Sequence, residues 1–261
     1  MPQIAVDLDY DLEEDKGLLH QSLPHVFFLD RVQAVTREIV VQGLPGRVLD
    51  LGAGLAFQAV AFSKRGWESW GLEPSAAMLY HARRNARGSR ADVALVQGVA
   101  ESLPFPDDSF DRLLCQGSFD HFADPSASVS EIARVLKPQG RAIIAIANYD
   151  SLSCRLGKAI AHVAHTCGRS FPPEPYRYWV PPRTHTFRGD YQSVRKLGGS
   201  CLEMERCFGI SLFWLFPYWA GLLERLPQSL ADTLLRLVDR VAYRLPVLAD
   251  MIITTWRPRK P

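Results

Sequence analysis

The sequence predicts an α/β protein built on a doubly wound, mostly parallel sheet. Three features of the chain point to it. Apolar runs alternate with helical patterns from Arg47 to Ala147, which implies parallel crossover units. The first run, Arg47-Val48-Leu49-Asp50-Leu51, enters a turn spaced by Gly52 and Gly54; Leu55, Phe57, Val60 and Ala61 then mark a helix ending near Lys64-Arg65-Gly66. About twenty residues past the turn, a second strand, Trp67-Glu68-Ser69-Trp70-Gly71-Leu72-Glu73, ends in an acid.

Strand, glycine turn and helix together form a phosphate- or nucleoside-binding context. Gly52 and Gly54 allow a tight bend and a close approach of ligand to backbone. The helix start offers unpaired N–H groups and a positive dipole end. Glu73 is placed to accept hydrogen bonds from the vicinal hydroxyls of a ribose, a geometry common to dinucleotide enzymes and S-adenosylmethionine enzymes. Asp50, which closes the first strand, would repel a pyrophosphate but suits the cationic methionine end of S-adenosylmethionine. Phe57 stands where a dinucleotide fingerprint needs its third glycine.

On VLDLGAG (48–54), GLEPS (71–75), VQGVAESLPFPDDSFDRLLCQGSFDHF (96–122) and EIARVLKPQGRAIIA (131–145), the chain resembles the class I S-adenosylmethionine-dependent methyltransferases. The similarity is strongest to the broad group of quinone and small-molecule methyltransferases, and spans about residues 25–147. It implies a Rossmann-like sheet of seven strands. The last strand, Ala249 to Trp256, would be antiparallel and lie between strands five and six. It implies S-adenosylmethionine as cofactor, held at Asp50, Gly52, Gly54, Glu73 and Pro74, with Gln116 at the end of the fourth strand. Where the group usually has an aspartate for the adenine amino group, this chain has Val99; backbone around Val99 and Ala100, with Glu101 nearby, is left to read the adenine edge.

Composition narrows the class. The 261 residues suffice for one large domain or one with an insertion, and 47% hydrophobic content supports a core. Thirty basic against 28 acidic residues, with no basic tract, exclude nucleic acid as the expected partner. The five cysteines, an odd number without a CxxC pair, argue against a disulfide scaffold. The acidic start (Asp7, Asp9, Asp11, Glu13, Glu14, Asp15) is unlike a targeting peptide, so a cytoplasmic enzyme is expected.

Along the chain, residues 1–24 read as a lead-in, 25–148 as the cofactor-binding core and 149–190 as an inserted helical and aromatic cap. Residues 191–261 return to the core, with a helical insertion at about 210–246. Val26, Leu29, Val32, Val35 and Ile39 predict a helix from His25 to Val41; Tyr10, His20 and His25 are candidates to line a pocket, or simply surface and capping residues. Ser75 caps a helix to Ala86, and Val93–Val96 is the third strand. Phe110–Cys115 is the fourth. Asp124-Pro125 opens a helix with a capping acid and a proline at its first position, Lys137-Pro138-Gln139-Gly140 ends it, and Arg141–Ala147 is the fifth strand.

Beyond Asn148 a helix (Leu152 to Ala164) precedes a loop of prolines and aromatics from Phe171 to Pro182. Tyr191 to Leu197 is helical, and Ser200 to Phe208 is the sixth strand. The segment from Gly209 to Leu223 is too short and interrupted for a membrane span. A helix from Gln228 to Arg244 sets Leu230, Leu234, Leu237, Val238 and Val241 on one side, and Asp232, Arg236, Asp239 and Arg240 on the other. His162, His165 and Cys167 lack a fourth ligand at metal-site spacing, so no metal is expected.

The expected activity is methyl transfer to a small, apolar or aromatic acceptor, O-methylation ahead of C- or N-methylation. Alignment of the two reactants is the main task, and a base is needed only if the acceptor loses a proton. His121 is the candidate base, with Asp120 or Asp124 raising its basicity; packing of the following helix is its other reading. Residues 171–187 and 209–226 read as the cover of an apolar pocket, a site approached from a membrane surface, a second small core or a dimer interface. A catalytically silent S-adenosylmethionine-binding subunit and a nicotinamide-dependent oxidoreductase are the alternative functions.

Overall fold

An unbroken apolar strand has to be covered on both faces, and the run from Ala142 to Ile146 is: none of its side chains reaches solvent. The computed structural model describes residues 22–168, 177–182, 184–216 and 218–259. Its seven strands are β1 (Arg47–Leu51), β2 (Glu68–Glu73), β3 (Val93–Gln97), β4 (Phe110–Gln116), β5 (Leu136–Ala147), β6 (Leu202–Ile210) and β7 (Met251–Pro258). They form one sheet in the order β3-β2-β1-β4-β5-β7-β6. Strands β1 to β5 pair in parallel, and β7 runs antiparallel to both β5 and β6. This is the doubly wound, mostly parallel seven-stranded sheet expected.

Helices α1 (Leu23–Val40), α2 (Phe57–Ser63) and α3 (Ala76–Gly88) cover one face. Phe28, Val32, Val35 and Phe62 pack there against Leu114, Ile143, Ala145 and Ile253. Helices α4 (Pro125–Val135) and α6 (Tyr191–Lys196) cover the other, where Ile132, Val135 and Val194 meet Leu49, Leu113, Ile144 and Trp256. No helix joins β3 to β4. Phe105 fills that place, edge-on to Trp70 and Phe110 with ring centroids 5.6 and 5.0 Å away. Among the described residues three further helices follow: α5 (Leu152–Thr166), α7 (Trp219–Leu223) and α8 (Gln228–Arg244).

Capping follows the sequence. Ser75 Oγ accepts the Met78 N–H, and Asp124 Oδ1 accepts those of Ser126 and Ala127. Three differences from expectation concern how the sheet and its helices pack. Strand β5 starts at Leu136, which pairs with Phe110, so Lys137–Gly140 lies inside an irregular stretch of the strand rather than ending α4. A Cβ on Gly140 would stand 2.9 Å from the carbonyls of Lys137 and Phe110, so this irregularity needs a glycine. Strand β6 starts two residues late, because Leu202 N–H still closes a turn onto Gly198.

The third difference is the rotation of α8. Ala231, Leu235, Asp239 and Ala242 face inward, while Leu230, Leu237 and Val241 are exposed. Asp239 draws that side in: its carboxylate accepts the Ser211 N–H at 3.1 Å and pairs with Arg31 at 2.8 Å. Alanine at 242 lets the helix come close to β6, where a Cβ on Gly209 would lie 2.5 Å from the Ala242 carbonyl. Tyr10, His20, most of the 1–24 lead-in and residues 171–176 of the aromatic loop lie outside the described residues.

Candidate functional site

The mouth of the sheet is built first from β1. Asp50 is almost fully buried, and its Oδ2 accepts the Ala59 N–H in the first turn of α2 at 3.2 Å. Burial pushes its carboxyl up to about 7, the Ala59 hydrogen bond opposes this, and the neighbouring Glu73 adds to it. Gly52 then turns with φ +72°, and both Gly52 and Ala53 donate their N–H to the Leu72 carbonyl. A Cβ on Gly52 would meet the Ser118 side chain at 2.4 Å. That serine donates to the Leu51 carbonyl at 2.9 Å, tying the end of β4 to the end of β1.

Gly54, at φ +51°, donates its N–H to Glu73 Oε2 at 2.9 Å, and Ser75 donates to Glu73 Oε1 at 3.1 Å. Two backbone donors thus fix the carboxylate that ends β2. Burial raises the Glu73 carboxyl; these two N–H groups, and then His121, pull it back down. The helix behind the turn begins at Phe57, two residues later than read, because Ala56 takes a left-handed conformation (φ 58°) before it.

The other cofactor candidates make the following contacts. The Pro74 carbonyl accepts from Gln97 Nε2 at 3.0 Å, joining the ends of β2 and β3. Ala100 is buried, and Glu101 Oε1 accepts the Asp124 N–H at 3.2 Å. The Gln116 side chain turns to the helices: its Oε1 accepts Thr36 Oγ1 at 2.7 Å and Gln58 Nε2 at 3.0 Å. Gly117, next along, has φ +69°, and a Cβ there would have nothing within 4 Å. The Trp214 indole donates to His25 Nδ1 at 3.0 Å.

A second group of side chains stands past β4. His121 ends the 3₁₀ turn Phe119–His121 and is exposed. Its ring meets that of His185 edge-on, with centroids 4.4 Å apart. The Asp120 carboxylate is buried and goes to His185, Oδ2 to Nδ1 at 3.0 Å. Asp124 caps α4, so neither carboxylate expected beside His121 is hydrogen-bonded to it. Tyr149 Oη also lies 3.0 Å from His185 Nδ1. Asp120 Oδ1 is buried without a hydrogen-bond partner.

His185 reaches this place through backbone. The N–H groups of Thr186 and Phe187 donate to the Asp120 carbonyl, and Thr186 Oγ1 donates to that of Phe122. Burial lowers the imidazole pKa, the Asp120 charge opposes this, and His121 lowers it further. Burial chiefly lifts the Tyr149 hydroxyl above its ordinary range. Sequence reading missed His185 and Tyr149, which lie 36 positions apart with no spacing motif between them. Asp120, His121 and His185 bring their ligand atoms within 4.8 Å of one another, a donor set that could also hold a metal ion. His162, His165 and Cys167 sit on exposed positions at the end of α5.

Residues 49–144 match the family model described as a methyltransferase domain. The chain is 44% identical over 99 residues to the uncharacterized methyltransferase YcgJ of Bacillus subtilis (strain 168), covering 38% of this chain and 39% of that one. It is 34% identical over 109 residues to the demethylmenaquinone methyltransferase of Thermus thermophilus, covering 41% and 50%. The matches span half or less of these relatives. A solved SAM-dependent methyltransferase of Thermotoga maritima shares the fold, with a TM-score of 0.58 at 18% identity over 95% of this chain and 96% of that one.

Proposed function

From the premise that residues 49–144 are a class I S-adenosylmethionine-dependent methyltransferase domain, we propose that the protein methylates a small, largely apolar acceptor at the mouth of its sheet. S-adenosylmethionine is the cofactor, and when bound it supplies an electrophilic methyl group. The observation that carries the reading is the Glu73 carboxylate, fixed by Gly54 and Ser75 N–H groups. Each oxygen keeps a lone pair for a ribose hydroxyl. The left-handed Gly52 and Gly54 make the tight turn that presents backbone at the end of β1, and open space lies over Gly117 at the end of β4. Asp50 places a carboxyl beside Glu73, suited to a cationic methionine end. The adenine edge would be read by backbone at Ala100, with Glu101 beyond it.

The acceptor side lies at the two imidazoles. An acceptor that must lose a proton, such as a phenol, quinol or enol, would give it to an imidazole here. His185 has the better support: the Asp120 carboxylate lies 3.0 Å from its Nδ1 and would steady the charge formed on the ring. His121 is the neighbouring exposed imidazole. The quinone methyltransferase among the relatives supports a quinol-type acceptor. Incubation with S-adenosylmethionine and a panel of quinols and simple phenols, followed by product mass, tests this. A mass gain of one methyl group supports it; cofactor binding without methylation of any hydroxyl acceptor would contradict the hydroxyl class.

A further inference from the structure

We propose that the exposed side of α8 docks on an anionic lipid bilayer surface. Leu230, Leu237, Val241 and, just past the helix, Leu245 are 51%, 54%, 40% and 47% exposed, with partly buried Leu234 between them. Spaced three or four residues apart, they form one apolar stripe beside the buried side of the helix. Leu222, on the α7 segment packed against the same part of α8, is also half-exposed.

Charge identifies the occupant. Arg236, Arg240 and Arg244 recur every fourth residue and are exposed, so they make a row alongside the stripe. None of the three forms an ion pair among the described residues. Of the two acids within the helix, Asp239 is buried and held by Arg31, and Asp232, four residues before Arg236, is half-buried and forms no ion pair among the described residues. An antiparallel two-fold pairing of this face with a second copy would set arginine row against arginine row. Anionic headgroups satisfy both features, taking leucines into the acyl boundary and arginines at the phosphates. No helix among the described residues is long and apolar enough to cross a membrane, so the contact is peripheral.

The chain after α8 leads back to the candidate site. Leu248 accepts the Leu152 N–H at 3.0 Å, and Val247 accepts Asn148 Nδ2 at 3.3 Å, next to Tyr149. A lipophilic acceptor would thus enter close to the docked face, a consequence that rests on the proposed function. The docking itself does not.

Co-sedimentation with phosphatidylcholine vesicles, with and without phosphatidylglycerol, tests the proposal without acceptor or cofactor. Wild type is expected on the anionic vesicles, less as salt rises, with roughly fivefold weaker binding for each arginine changed to glutamine. Leu237→Asp with Val241→Asp should release the protein from vesicles while circular dichroism and S-adenosylmethionine calorimetry stay unchanged. No binding to anionic vesicles at low salt, or equal binding by these variants, overturns it. So does a dimer in solution that Leu237→Asp dissociates while wild type ignores the vesicles. In each case the calorimetry reports separately on the methyltransferase reading.

Discussion

The two halves of the candidate site are built in opposite ways. The cradle at β1 and β2 is contiguous: Asp50, Gly52, Gly54, Glu73 and Ser75 fall within one strand–helix–strand unit, joined by backbone hydrogen bonds. The acceptor side is assembled at a distance. Asp120 comes from the end of β4, Tyr149 from just past β5 and His185 from the segment before α6. A site made mostly of backbone geometry has little tolerance for added atoms. One made of side chains from separate segments can lose a member and keep its frame.

The comparison is broken most forcefully at Gly52. A valine there has to adopt φ +72° and push into Ser118, so Gly52→Val should abolish cofactor binding and lower the melting temperature. Calorimetry and a thermal melt on the purified variant check this; retained binding would mean that the cradle is elsewhere. On the acceptor side, His185→Gln should reduce turnover of a hydroxyl acceptor by roughly 10²–10⁴ while cofactor affinity holds. His121→Gln should cost less, since Asp120 makes its 3.0 Å contact with His185. Equal losses in the two variants would remove the distinction between the imidazoles. Because burial lowers the His185 pKa, the acid limb of the wild-type pH–rate profile should lie below the ordinary histidine value.

Legibility in the sequence followed the same division. Local rules reach Asp50, Gly52, Gly54 and Glu73, since a strand, a glycine turn and an acid about twenty residues on are read in a single pass. They reach the caps at Ser75 and Asp124 for the same reason. His185 was beyond them. Long-range bonds, among them those from the Thr186 and Phe187 N–H groups to Asp120, bring it to His121, and no periodicity encodes those. The rotation of α8 was missed because leucine count outweighed one aspartate. Asp239 had two partners waiting on Arg31 and Ser211, and inward-facing alanines suited the close approach to β6.

A smaller effect should appear in stability. The Asp50 pKa rises from 3.8 to about 7 on folding, so between those values the folded chain keeps a proton that the unfolded chain has released. Stability therefore falls as pH rises through that window and levels off above it. Asp250, raised to about 6 by burial, adds a smaller fall of the same sign over a narrower window. Asp50→Asn should remove the larger part, gaining on the order of 2–4 kcal/mol at pH 8 relative to pH 4. Urea unfolding at both values measures it. A variant with the wild-type pH slope would show that Asp50 ionises freely in the folded chain.

The most direct test of the cradle is titration calorimetry of wild type and Glu73→Ala with S-adenosylmethionine, set beside NAD. The Gly54 and Ser75 contacts predict one cofactor bound per chain, a loss of roughly 1–3 kcal/mol in the variant, and no heat with NAD. Unchanged S-adenosylmethionine affinity in folded Glu73→Ala, or binding of NAD in its place, would contradict it.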